Sequence, residues 1–378
     1  MRMVIILIMP RLAVSPERPP SAAPPSRRQD GRSLRPRPRP PLWLVVTGLG
    51  AALVVALVVS VGLGSAGVRP GTTLQILGDH LLPGEHVASW SPVEDRIVWS
   101  FRTPRVLLAA VVGAALALVG AILQAVIRNP LADPYVLGAS SGAALGAVIG
   151  LALGASVPGV FVTGSAFGGA ALAGVLVYVL ASRGGRIESL RLVLAGVALS
   201  YLFSAITSWL TVTAEHGKLP GILFFLLGSI SSADWTTLPL PAIALGLGAA
   251  YTFWRADHLN AVMTGDDAAT SLGVDVNRFR VETLLATSVL VGSVVAVAGG
   301  IGFVGMVVPH VCRLLVGADH RRLLPVALIA GALLLVAVDT IARTAAAPRE
   351  LPVGVVTALV GAPFFLWLLR RRPVGSVS

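Results

Sequence analysis

Residues 128–134 read RNPLADP, and they follow an apolar run from Val106 to Ile127 that only Gln124 interrupts. Pro130 and Pro134 cannot continue a regular helix, and each biases the residue before it away from helical geometry. Arg128 and Asp133 would cost roughly 2.5–3.5 kcal/mol each at the centre of a bilayer. Irregular backbone at membrane depth is tolerated only where protein or water covers it. The segment is therefore either a turn at the cytoplasmic face or a protein-lined constriction there. A second polar island, GDDAATSLGV (265–274), lies in the long segment 256–282, bounded by Gly265 and Gly273. Asp266 and Asp267 suit the first turn of a short helix, near its positive dipole end. Leu272 and Val274 would supply apolar contact. The chemistry on offer is the stopping, opening and docking of helices. No nucleophile–base constellation and no His/Cys/Asp/Glu cluster of metal-ligand spacing occurs, so no metal site is expected. His310 in VPHVCR reads as a packing residue, and Asp339 and Arg343 as an ion pair one helical turn apart. Lys218, the only lysine, lies outside any G-x-x-x-x-G-K-[ST] pattern, so the chain has no P-loop for ATP.

The elements that must position these residues follow from composition. The 378 residues are 55% hydrophobic and 12% charged, with a mean hydropathy of +0.83. A soluble domain carries about a quarter charged residues, so this chain belongs in a bilayer. The single cysteine, Cys312, excludes a disulfide framework within the chain. Apolar runs predict ten spans, near 42–64, 106–127, 135–153, 159–182, 190–211, 236–255, 283–302, 305–318, 323–342 and 353–370. Trp43, Trp90, Trp99, Trp209, Trp235, Trp254 and Trp367 fall at or near their ends, as an aromatic belt would place them. The net charge of +11 is unevenly distributed. With both termini cytoplasmic, the inside segments hold 22 of the 29 Lys+Arg residues, which orients the chain by the positive-inside rule and makes nucleic acid an unneeded partner. The expected organisation is an Arg/Pro-rich disordered cytoplasmic tail over 1–41, a membrane domain over 42–372 and a short cytoplasmic tail over 373–378. The first tail reads as solvated, with arginines that would also attract anionic lipid.

Two internal patterns bear on packing. Residues 112–130, VGAALALVGAILQAVIRNP, and 291–309, VGSVVAVAGGIGFVGMVVP, share Val, Gly, Ala, Gly, Ile and Pro at the same offsets. They fall on the second and seventh spans, five apart and so oppositely oriented, which predicts an inverted repeat. Gly138, Gly142, Gly146, Gly150 and Gly154 form a small-residue stripe suited to close packing within the chain. The fold class expected is an all-α polytopic membrane protein of about ten transmembrane helices.

The stretch RTPRVLLAAVVGAALALVGAILQAVIRNPLADPYVLGASSGAALGAV (102–148) resembles the signature of the iron-siderophore, haem and cobalamin uptake permeases, the FecCD/BtuC-type importers of the ABC superfamily. GGIGFVGMVVPHVCRLLVGADHRRLLP (299–325), ELPVGVVTALVGAPFFLWLL (350–369), FFLLGSISSADW (224–235) and TGDDAATSLGV (264–274) fit the same family in order. The resemblance implies a permease that is not itself an enzyme, paired with a second permease subunit, identical or paralogous. Two cytoplasmic ATPase subunits carrying ATP-Mg and an extracytoplasmic solute-binding protein would complete the importer. It implies that Asn129, Pro130 and Leu131 form a cytoplasmic gate. It makes Gly265, Asp266, Asp267, Leu272, Gly273 and Val274 a coupling helix seated in a cleft of the ATPase. Arg102, Arg105 and Arg343 would pair, exposed, with glutamates of the binding protein, against the simpler reading of lipid-headgroup anchoring. The pathway would be largely apolar, with Ser200, Ser204, Thr207 and Thr357 among its few hydroxyls. Ferric siderophore is the first substrate expectation, with haem and cobalamin behind it. An ion-coupled secondary transporter is the other class. It would need acidic residues at mid-membrane, and the predicted spans offer only Asp339 near one end.

Overall fold

The described residues fold mostly as helix, in a computed structural model that describes residues 40–64, 67–82, 89–134, 138–153, 158–183, 186–187 and 189–371. Helix follows helix in the order α1 (Leu42–Gly62), α2 (Pro70–Leu81), α3 (Pro92–Asp95), a π-helical stretch (Arg96–Arg102), α4 (Thr103–Val126), α5 (Ala139–Leu153) and α6 (Pro158–Ala181). A two-residue ladder pairs β1 (Ser182–Arg183) with β2 (Arg186–Ile187). Then come α7 (Ser189–Thr213), α8 (Leu219–Leu226), α9 (Pro239–Trp254), α10 (Ala256–Met263), α11 (Asp266–Ser271), α12 (Val276–Ala298), α13 (Val304–Val316), α14 (His320–Thr344) and α15 (Val353–Arg371).

All ten predicted spans are helices: α1, α4, α5, α6, α7, α9, α12, α13, α14 and α15. Among the described residues six helices are long and apolar enough to cross a membrane, and shorter apolar helices cover Ala139–Ala152, Val304–Val316 and Val353–Trp367. The predicted tails at 1–41 and 373–378 lie outside the described residues, apart from Pro40 and Pro41. Two of the spans that begin earlier than their apolar runs do so at a side-chain cap. α12 starts at Val276 because the Asp275 side chain accepts from the Arg278 amide, and α14 starts at His320 because Asp319 accepts from the Arg321 amide. Such caps satisfy amide groups that the first turn leaves open. Both charged first turns stand outside the apolar length.

The repeat is visible in the packing. α4 packs on α13 and α14, and its counterpart α12 packs on α5 and α6. Exchanging the two halves carries the first set of neighbours onto the second. A Cβ on Gly113 of α4 would lie 2.2 Å from the Gly331 carbonyl oxygen of α14, and one on Gly292 of α12 would lie 2.8 Å from Ala170 Cβ of α6. The stripe on α5 packs within the chain: Cβ atoms on Gly142 and Gly146 would sit 2.4 Å from Gly169 O and 2.0 Å from Ser165 O of α6. Gly154 lies outside the described residues. α4 is the central helix, buried along nearly all of its length.

Contacts between loops sort the helix ends onto two faces. On one face Arg128 pairs with Asp266, Asn260 bonds Asp319, Arg321 bonds Asp257 and Arg322 reaches the Pro40 carbonyl. On the other Arg102 reaches Val61, Arg105 pairs with Glu350, Lys218 bonds the Ala152 carbonyl and Trp235 bonds the Trp99 carbonyl. Two helices run into breaks: α4 at residues 127–134, on the first face, and α12 at residues 299–303, towards the second.

Candidate functional site

The break after α4 is built around Gln124, a residue with no assigned role in the sequence reading. Its Nε2 donates to Gly305 O at 3.1 Å and to Met306 O at 3.3 Å, and its Oε1 accepts from Arg313 Nη1 of α13. This buried amide fastens the end of α4 to the start of α13. The one signal in sequence was that Gln124 alone interrupts an apolar run. Beyond it the Asn129 amide donates to Gln124 O at 3.2 Å, and the Leu131 amide donates to Asn129 Oδ1 at 2.9 Å. An Asx turn of this kind lets a short polar side chain replace the missing helical carbonyl. Asn129, Pro130 and Leu131 are exposed, Leu131 at 44%, while Ala132, Asp133 and Pro134 turn inward. Arg128 adopts φ 55°, in the left-handed region that non-glycine residues rarely enter.

The predicted coupling segment is α11, on the same face. Gly265 precedes it at φ 122° and Gly273 follows at φ 84°. The Gly273 amide donates to Thr270 O at 2.9 Å and the Val274 amide to Ala269 O at 3.0 Å, the pattern of a helix closed by a left-handed glycine. Asp266 and Asp267 occupy the first turn as expected. The two apolar residues part company. Leu272 is 71% exposed, whereas Val274 is 8% exposed and faces the protein's own core, so outward apolar contact is left to Leu272. Both oxygens of Asp266 accept from Arg280 of α12 at 3.0 Å, and its Oδ1 lies 3.4 Å from Arg128 Nη2. α10 is moored beside it. Asn260 accepts from the His320 amide and donates to Asp319, and Arg321 holds Asp257. The hydrogen bond from Arg321 keeps the Asp257 carboxyl below its ordinary pKa, and that from Asn260 does the same for Asp319.

At the opposite face the three arginines expected to be exposed are buried, at 6%, 9% and 5% for Arg102, Arg105 and Arg343. Asp339, fully enclosed, takes Arg105 at 3.0 Å and Arg343 at 3.1 Å, the second being the i,i+4 pair read from sequence. Arg105 also holds Glu350 at 2.8 Å. The end of α1 supplies carbonyls: Val61 and Gly62 accept from Arg102, and Ser60 and Leu63 from Arg343. A guanidinium at a helix end reads as exposed until the acid and the open carbonyls of neighbouring helices are folded around it. The three still line one cleft, with Gly64, Ile97, Phe101, Ser231 and Glu350.

The four hydroxyls expected along a pathway are not gathered within one chain. Ser200, Ser204 and Thr207 stand on α7, and Thr357 stands on α15, which packs on α13 and α14. Ser204 is exposed, Ser200 half-buried and Thr207 buried. Thr357 is buried against an apolar cavity of about 110 Å³ bordered by Phe303, Val338 and Phe364. α7 and α15 each present apolar side chains outward, among them Tyr201 at 75%, Val212 at 84% and Leu359 at 68%.

The chain matches the model of the FecCD transport family over residues 52–371. It is 44% identical over 284 residues to the cobalamin import system permease BtuC of Halobacterium salinarum, covering 74% of this chain and 75% of that one. It is 42% identical over 297 residues to the hemin transport system permease HmuU of Yersinia pestis, covering 75% and 87%. Among solved structures, an ABC transporter described as of metal-chelate type, in an inward-facing conformation, superposes with a TM-score of 0.76 at 32% identity, over 87% of this chain and 99% of that one.

Proposed function

The chain belongs to the FecCD transport family, and from that premise we propose that it admits a ferric siderophore into the cell. It is a multi-pass membrane protein, the permease subunit of an ABC importer, and ATP hydrolysis lies on separate partner chains. The observation that carries the working arrangement is the pairing at one face: the turn 129–131 and the helix α11 stand side by side, with Leu131 and Leu272 outward. In this reading Asn129, Pro130 and Leu131 form the gate, and α11 with Leu272 seats in the ATPase. That face and both termini are cytoplasmic. The cleft around Arg102, Arg105 and Arg343 lies outside and receives carboxylates of a solute-binding protein. Such charge complementarity mainly serves orientation and encounter rate. A second permease subunit covers part of the apolar surface of α7 and α15, lipid covers the rest, and the hydroxyls converge only in the dimer.

A second substrate reading, haem or cobalamin in the same importer, is favoured by the names of the relatives at 42% and 44% identity. Uptake by the native host with and without this chain separates the readings, using labelled ferric siderophore, haemin and cobalamin in turn. Loss of ferric siderophore uptake is the expected result. Loss of haemin or cobalamin uptake alone would replace the substrate and keep the importer. Unchanged uptake of all three, with paralogous permeases also deleted, would remove the metal-chelate reading.

A further inference from the structure

We propose that Asp266 is a positioning residue for the gate, linking α11 to the turn 129–131 through Arg128, so that a displacement of α11 by the ATPase is delivered to Leu131. The inference rests on the permease reading above. It starts from an asymmetry around one carboxylate. Arg280 is rooted in α12 with its side chain 4% exposed, and it grips both oxygens of Asp266 at 3.0 Å. That bidentate fork fixes the carboxylate's orientation. The same Oδ1 faces Arg128 Nη2 at 3.4 Å, and both of these side chains are about two-fifths exposed, at 40% and 42%. The inner contact sets the carboxylate's aim and the outer one is a looser link.

Two backbone facts aim that link at the gate. Arg128 sits at φ 55°, a conformation that asparagine or glycine would adopt more readily, and this backbone turn carries its side chain to α11. Its Nη1 lies 3.6 Å from where a Cβ on Gly265 would stand, so the guanidinium lies over the bare glycine that begins α11. Gly265 at φ 122° is a position only glycine adopts freely. From Arg128 onward the turn is stiff, tied by Asn129 N to Gln124 O and by Leu131 N to Asn129 Oδ1. A pull on Arg128 therefore moves Asn129 to Leu131 as one piece.

The test uses the whole complex, purified with its ATP-hydrolysing subunit in lipid nanodiscs and carrying Leu131→Cys. The native Cys312 is 1% exposed and does not compete for label. The readout is the rate at which a membrane-impermeant maleimide labels position 131, with and without ATP-Mg. In the parent, nucleotide is expected to change that rate several-fold. Arg128→Asn, which suits the left-handed backbone, should abolish the change while hydrolysis continues, and Arg128→Lys should restore most of it. Asp266→Asn breaks the link from the other side and gives the same reading should Arg128→Asn fail to assemble. A full nucleotide response in Arg128→Asn, or in Asp266→Asn, overturns the link and leaves the permease reading standing. No response in the parent itself would overturn the gate assignment, and the link with it.

Discussion

After α4 the chain leaves its helix through Arg128, Asn129 and Pro130; after α12 it leaves through Gly299, Gly300 and Ile301. The two segments end the paired helices of one repeat, at different offsets within it, and they are held differently. The first is held by side chains: the Gln124 amide, the Asn129 carbonyl and the Arg128–Asp266 pair. The second is held by backbone hydrogen bonds and close backbone contacts. Ser229 N donates to Ala298 O at 2.9 Å, Gly300 N to Phe225 O at 3.4 Å and Gly354 N to Gly228 O at 3.2 Å. Cβ atoms on Gly228 and Gly354 would fall 2.3 Å from Gly300 O and 2.2 Å from Leu227 O. A break closed by touching backbones has one arrangement. A break closed by exposed charge can be addressed from outside. On the proposed function, the difference would place movement at the face that bears α11 and constancy at the other.

The largest test of that difference is Gly299→Ala. The added Cβ would lie 2.0 Å from Phe225 O, on a residue at φ 65°. Overpacking and backbone strain together should cost about 3 kcal/mol, read as a fall in the thermal unfolding midpoint of the detergent-purified protein. An unchanged midpoint would mean that the glycine break is not the fixed one. Gln124→Leu should come next, at roughly 1–3 kcal/mol, because the Arg313 guanidinium loses an acceptor within the fold. If that variant were as stable as the parent, the amide could not be what fastens α4 to α13. Arg128→Asn should change stability by less than about 0.5 kcal/mol, since its pair is exposed to water. A loss matching that of Gly299→Ala would make the polar break a structural clamp and dissolve the contrast.

The smallest effect is one of pH. Asp257 and Asp319 are held below their ordinary value of 3.8, chiefly by hydrogen bonds from Arg321 and Asn260 respectively. A depressed carboxylate contributes stability that is fully present above its unfolded pKa and is lost as pH falls through the folded one. The unfolding midpoint should therefore hold down to about pH 4 on this account and decline below it, with Asp319→Asn flattening the decline. A decline that begins near pH 6 would point to histidine instead.

Apolar run length was enough to find ten helices, because a bilayer demands roughly twenty apolar residues of each full span. It missed α2, α3, α8 and α10, which have 12, 4, 8 and 8 residues and lie in the loops. It also cut α12 short by two turns, since Arg278, Arg280 and Glu282 break the apolar run but not the helix. The repeated glycines were legible, and their partners were not: nothing in sequence places Gly331 against Gly113. At the candidate site the residue types at 128–131 and 265–274 could be read directly. The inward turn of Val274, the burial of Arg102 and Arg105, and the Arg128–Asp266 contact all depend on residues distant in the chain, which only tertiary packing assembles.

The glycine seams have a mechanical consequence. Where Gly113 meets Gly331 and Gly142 meets Gly169, the main chains touch with no side chain between them to yield. Interiors packed to this density switch between discrete arrangements rather than deforming smoothly. The pairs α4–α14 and α5–α6 must then travel as solid plates, with no shear inside either. Any cycle that opens the protein alternately to its two sides has to place its sliding planes outside those two seams.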